Sequence, residues 1–229
     1  MSEPTGDLTQ APLASPGRRL GWFLMHVLYE GRALHGNRIP RTGPVIVISN
    51  HSAFLDGPVV FCLAPRTLHF LVKSAYFSSA WGAVLRKMGQ IPIDQHSADR
   101  RALMAAKATL ERGDAVGIFP EGHRGGGTVE AAEQGAAWLA LQTGALIVPA
   151  ATLGTRGTSG DTDTWPRPRG RIRVVFGEPF AIRPFEPVSG RERLRLATEQ
   201  LRSRLAAHVQ ASVGETGMGL PAARPGGDD

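Results

Sequence analysis

The stretch VIVISNHSAFLDGP, residues 45–58, joins three kinds of sequence. VIVIS is an apolar run with no polar alternation, as in a strand buried on both faces. Gly57-Pro58 opens a helical pattern near residues 57–64, and proline suits the first turn of a helix. Between strand and helix stand His51 and Asp56. On one regular helix, a spacing of five would hold their side chains about 140° apart. In a turn they can meet. If Asp56 caps the helix, its carboxylate lies beside the turn. It would then accept a hydrogen bond from one ring nitrogen of His51 and leave the other basic. The plainer alternative makes Asp56 only an N-cap and His51 only a loop residue. The pair alone favours that alternative, because motifs this short often match by chance.

The strand-then-helix alternation repeats along the chain. Short β-branched runs fall at LHFLVK (68–73), IPID (91–94), AVGIF (115–119), ALIVPAAT (145–152) and RIRVVFG (171–177). Helical periods lie near 78–88, 98–112, 130–143 and 189–211. In the helix near 98–112, Leu103, Ala106 and Leu110 share a face, and Gly113 is a suitable C-cap. Leu194, Ala197, Leu201 and Leu205 form a stripe on the last helix. The alternation predicts an α/β fold with a mostly parallel central sheet flanked by helices. Ligands of such sheets sit at the carboxyl ends of strands, so the strand-to-helix loops are where chemistry is expected.

The chain has 229 residues, 42% hydrophobic and 20% charged, with a formal net charge of +6. That is long enough for one domain with a real core. The basic surface favours anionic partners: phosphate groups, nucleic acid or anionic lipid. Nucleic acid is disfavoured, since no basic stripe is interleaved with exposed aromatics. A single cysteine, Cys62, excludes an intrachain disulfide and a Cys-rich zinc site, and reads as a small apolar core residue. No HExxH or HxH grouping calls for a metal. The N-terminus lacks a signal peptide's order, and no apolar run reaches the roughly 20 residues of a spanning helix.

Residues 1–16 and 213–229 read as disordered tails around a single domain, 17–212. Within it, RRLGWFLMHVLYEGR (18–32) is dense in large apolar residues and flanked by Arg18, Arg19 and Arg32. It is read as part of an amphipathic interfacial helix, 17–34, lying on anionic head groups. The alternative is a first helix packed on the sheet.

Two further loops carry unusual chemistry. IFPEGHRGGG (118–127) runs from a strand into Glu121, Gly122, Arg124 and a series of glycines. Glycines let backbone N–H groups approach an anion, and a guanidinium can hold phosphate oxygens through two bonds. No P-loop and no GxGxxG follows a strand. GQIPIDQ (89–95) is followed by Arg100 and Arg101.

Taken in order, NHxxxxD, GxIPIDx, FPEGxR and IVPA resemble the PlsC-like glycerolipid acyltransferases, the 1-acylglycerol-3-phosphate acyltransferases, over roughly residues 40–180. His51 and Asp56 match the family's HxxxxD pair. Phe119, Pro120, Glu121, Gly122 and Arg124 match its FPEGTR block, with His123 in place of Thr. Val148-Pro149 matches its fourth block. Gln95 stands where the second block usually has Arg.

The resemblance implies transfer of a fatty acyl group from acyl-CoA or acyl carrier protein to a lysophospholipid hydroxyl. The acceptor implied is 1-acylglycerol-3-phosphate, giving phosphatidic acid. His51 would be the general base and Asp56 its orienter. Glu121, Gly122 and Arg124 would bind the acceptor, with Lys73, Gln95 and Arg100 as further candidates for the phosphate. The thioester donor is a substrate, and no cofactor or metal is implied. The expected partners are lysophospholipid, acyl thioester and an anionic membrane surface, with the protein cytoplasmic and peripheral on the inner face of the cell membrane. Gln95 and His123 keep alternatives in view: another acceptor, or a catalytically idle lipid- or phosphate-binding protein of the same fold. A hydrolase using water as acceptor is another. The loop TLGTRGTSGDTDTWPRPRG (152–170) is long for a compact domain. It could bring Trp165, Arg156, Arg167 and Arg169 to head groups or coenzyme A phosphates, or it could be a surface insertion.

Overall fold

In a computed structural model, residues 14–79, 81–94, 99–157, 161–183 and 187–221 are described. In chain order the main elements are α1 (Ala14–Leu28), β1 (Glu30–Leu34), β2 (Val45–Ser49), α2 (Asp56–Leu63), β3 (Leu68–Lys73), α3 (Ser74–Phe77), α4 (Gly82–Lys87), β4 (Ile91–Ile93), α5 (Arg100–Glu111), β5 (Ala115–Ile118), α6 (Gly135–Thr143), β6 (Leu146–Leu153), β7 (Arg171–Phe176) and α7 (Gly190–Thr216). The strands form one sheet in the order β1-β7-β6-β2-β5-β3-β4. Every pairing is parallel except β6 with β7.

VIVIS reads as it does because β2 is central and covered on both faces. Val45 lies opposite Ala115 of β5 and Leu146 of β6. Val45 and Val47 point into a core shared with α1 and α2, where Val59, Val60 and Phe61 also sit. Ile46 and Ile48 point the other way, onto Ala106 and Leu110 of α5, Leu139 of α6 and Leu201 and Leu205 of α7. All five residues of β2 are buried. Because β2, β5 and β6 run parallel side by side, the loops after them, beginning at residues 50, 119 and 154, converge at one end of the sheet.

The N-terminal segment differs from the expected helix 17–34. α1 begins earlier, at Ala14, and ends at Leu28. The following residues pair with β7 as an edge strand, Glu30 opposite Arg171. EGRAL has no β-branched residue, so this strand owes its formation to its neighbour rather than to propensity. α1 packs closely on α2: a Cβ on Gly21 would lie 2.1 Å from the Cys62 sulfur. Cys62 is the core residue expected, and burial pushes its thiol up to about 11 against the pull of Arg18. At the other end, α7 runs to Thr216, into the segment read as a tail. Its C-terminal turns are held by buried Val209 and Ser212 and by His35, whose ring bonds Glu215 at 2.7 Å. The rest of the tails, residues 1–13 and 222–229, lies outside the described residues.

Candidate active site

The turn after β2 brings His51 and Asp56 together. His51 Nδ1 lies 3.0 Å from Asp56 Oδ2. A carboxylate only accepts, so Nδ1 carries the proton and Nε2 is the nitrogen left with a lone pair. Asp56 is fully buried, whereas the His51 side chain is 16% exposed. Asp56 is not the N-cap the sequence suggested. It is the first residue of α2, and Leu55 holds the cap position. Its Oδ2 reaches backwards instead, accepting from Ser52 N (2.6 Å) and Ala53 N (2.8 Å). This turn of backbone donors holds the carboxylate on the histidine.

The loop after β5 forms the second wall. Phe119 stacks under the His51 ring, with centroids 4.1 Å apart and planes 17° apart. Glu121 accepts from His51 N at 2.7 Å, and Gly125 N donates to His51 O at 2.9 Å. Burial raises the Glu121 carboxyl above its usual range, opposed by backbone N–H groups of His51 and Val129. Gly122 turns this loop at φ +72°, which favours glycine. Val129, buried and β-branched, is held at φ +59°, a strained position kept by its surroundings. Glu121 is thus a brace behind His51 in this structure.

Arg124 points to the rim. Its NH1 pairs with Asp163 and its NH2 bonds the Tyr76 hydroxyl at 3.1 Å. Asp163 belongs to the loop between β6 and β7. This loop crosses the site: Phe54 N donates to Thr162 O at 3.0 Å, and Phe54 meets Trp165 edge to face at 5.1 Å. Arg156, read from sequence as a contact for head groups or coenzyme A, is turned inward. Its Nε and NH2 donate to Ser52 O at 3.0 and 2.8 Å, and NH2 also reaches Gly125 O. It therefore ties the turn after β2 to the loop after β5.

Two of the remaining candidates stand on neighbouring elements of the sheet and its helices. Lys73 ends β3 and is exposed; Arg100 starts α5 and is exposed. β4, which precedes Arg100, stands three places from β2 in the sheet, about 14 Å at ordinary strand spacing. Gln95 lies outside the described residues. Sequence reasoning missed Thr155, whose hydroxyl donates to Asp56 Oδ1 and which is wholly buried. It also missed Asn50, which exchanges bonds with the Thr152 backbone across β2 and β6. The one usable signal was position, since Asn50 directly follows β2 and Thr155 lies two residues past the end of β6. Among the described residues, no group of three or more His, Cys, Asp or Glu is placed to hold a metal ion.

Residues 32–152 match the Acyltransferase family, more than half of the chain. The chain belongs to that family. The resemblance read from HxxxxD and FPEGHR therefore stands, and this acyltransferase is an enzyme. It is 27% identical over 169 residues to "1-acyl-sn-glycerol-3-phosphate acyltransferase" of Bacillus subtilis, covering 73% of this chain and 82% of that protein. A protein of the same description from Borreliella burgdorferi is 32% identical over 126 residues, 51% of this chain and 48% of its own length. The crystal structure of the 1-acyl-sn-glycerophosphate (LPA) acyltransferase PlsC from Thermotoga maritima has the same fold. It superposes with a TM-score of 0.70 at 20% identity, covering 90% of this chain and 80% of that one.

Proposed function

We propose that this acyltransferase moves a fatty acyl group from an acyl thioester to the free hydroxyl of 1-acylglycerol-3-phosphate, forming phosphatidic acid. The observation that carries this reading is the His51–Asp56 contact, with Asp56 buried and clamped and His51 partly exposed. An alcohol is a weak nucleophile at neutral pH. An imidazole with one nitrogen held by a carboxylate can remove its proton as it attacks. The acceptor oxygen bonds to the thioester carbonyl carbon, with Nε2 of His51 taking the proton. The tetrahedral centre then collapses, the C–S bond breaks, and the leaving thiolate recovers that proton from the imidazolium. Asp56 stabilises the charged ring between the two transfers.

Arg124 is the cation assigned to the acceptor phosphate. It is the guanidinium carried by the loop that also braces His51, and it faces the rim rather than the backbone. The acceptor's acyl chain lives in a bilayer, and α1 gives the protein a way to meet it. Gly21 and Met25 pack inward, while Trp22 and Phe23 are 50% and 57% exposed. Arg169 N bonds Leu28 O at 2.7 Å, so the end of α1 adjoins the loop over the site. Among the described residues, no helix is long and apolar enough to cross a membrane. The exposed rings of α1 are the basis for seating it in the interface of an anionic surface, which we assign to the inner face of the cell membrane.

The test is an acyl-transfer assay on liposomes with a panel of lysophospholipids and both acyl-CoA and acyl carrier protein donors, read by mass spectrometry. Phosphatidic acid is expected as the main product, with His51→Ala at least about a hundredfold slower. Transfer by His51→Ala within threefold of wild type would overturn the base assignment. Thioester loss without lipid product would favour a hydrolase, and no turnover at all an idle binding protein.

A further inference from the structure

β6 ends at Leu153, and the chain reverses at Gly154 with φ +81°. A Cβ there would lie 2.2 Å from Arg171 O, so only glycine permits this reversal. The next residue, Thr155, is thereby turned into the protein rather than out along the loop. It is wholly buried, and its hydroxyl donates to Asp56 Oδ1. The bond must run in that direction, because an ionised carboxylate has no proton to give. Asp56 then has its two oxygens engaged by different parts of the chain. Oδ2 takes Ser52 N, Ala53 N and His51 Nδ1 from the local turn. Oδ1 takes Thr155 from the far side of the sequence.

We propose that Thr155 is a positioning residue for acyl transfer: its hydroxyl engages the second oxygen of the Asp56 carboxylate, shares its charge and reinforces the orientation in which it meets His51. This inference rests on the reading of His51 as the base. Without the Thr155 hydroxyl, Oδ1 would lose a donor in a fully buried site, and the carboxylate would be restrained by its local turn alone. Held at both oxygens, it presents one lone pair to Nδ1 in a fixed direction. The backbone donors both converge on the oxygen that His51 uses, whereas Thr155 adds a restraint at the other oxygen. Arg156, next in the chain, ties the same loop to Ser52 O and Gly125 O, so the hydroxyl is delivered by an anchored segment.

The test compares Thr155→Val, which keeps the shape and removes the donor, with Thr155→Ser, which keeps the donor, each against wild type and His51→Ala. Thr155→Val is expected to lower kcat about tenfold, a fraction of the roughly hundredfold or more that general-base catalysis supplies. KM for acceptor and donor should move less than twofold. Losing the donor leaves more negative charge beside the ring and favours its protonated form. The acid limb of the rate profile should therefore move to higher pH. Thr155→Ser should restore both kcat and the limb, and Thr155→Val placed in His51→Ala should cost nothing further. Thermal unfolding of each variant separates these effects from lost folding. If His51→Ala is inactive but Thr155→Val keeps kcat within twofold and the same acid limb, the positioning role is wrong. A loss that Thr155→Ser fails to restore overturns it as well. If His51→Ala itself remains active, the base assignment fails and the role of Thr155 falls with it.

Discussion

The floor and the rim of the site are built differently. On the floor, Asp56 is fully buried, its carboxylate accepts from Ser52 N, Ala53 N, His51 and Thr155, and Phe119 and Glu121 brace His51 from behind. On the rim, Arg124 meets Asp163, whose side chain is 74% exposed, and Tyr76, also exposed. A buried, saturated carboxylate cannot move without leaving donors unpaired, which costs about 1–3 kcal/mol each. An exposed ion pair is worth at most about 1 kcal/mol. The floor is therefore suited to hold a base in one orientation, and the rim to exchange one anion for another. A phosphate reaching Arg124 would displace Asp163 and compete with the Tyr76 hydroxyl.

The largest expected break in this contrast is at the floor. Asp56→Ala should lower kcat by about a hundredfold or more with little change in KM, because His51 keeps its place against Phe119 but loses its orienting charge. Steady-state kinetics check it; a loss confined to KM would move Asp56 from the chemistry to binding. On the rim, Arg124→Ala should instead raise KM for a phosphate-bearing acceptor about tenfold and leave kcat within a few-fold. The loss should be smaller for an acceptor lacking the exposed phosphate.

Replacing Trp22 and Phe23 together by Ser should weaken binding to anionic liposomes in a sedimentation assay about tenfold or more, since each exposed ring contributes apolar area to the interface. Unchanged sedimentation would detach α1 from membrane binding. Asp163→Asn should lower KM for the same acceptor by no more than about fivefold, the equivalent of ~1 kcal/mol, without altering kcat. A rise in KM would instead make Asp163 part of acceptor recognition.

The smallest expected effect concerns stability. The Glu121 carboxyl is raised in the folded state by burial. Such a group contributes stability that is complete below its ordinary value of 4.5 and is lost as pH rises through the folded value. Glu121→Gln removes that dependence. Its melting temperature relative to wild type should therefore climb from pH 4 to pH 7. A flat difference across that range would remove the titration of Glu121 from the stability of the floor.

The chain legibly encodes what its own period and short spacings determine. VIVIS could only be a central strand, since no face of it is polar. The alternation of such runs with helical periods fixes the α/β class, and five-residue separation lets His51 and Asp56 meet within one turn. HxxxxD with FPEGHR also names the family, because each block is a run of a few consecutive residues. What the tertiary structure decided are contacts between distant segments. Thr155 reaches Asp56 across 99 positions, and Arg156 reaches Ser52 across 104. β1 became a strand only because Arg171–Phe176 lay beside it. Asp56, suited by type to cap its own helix, gives its lone pairs to the preceding turn instead. Propensity and spacing act over a turn or two of chain, whereas a buried carboxylate recruits whatever donors the packed sheet brings within reach.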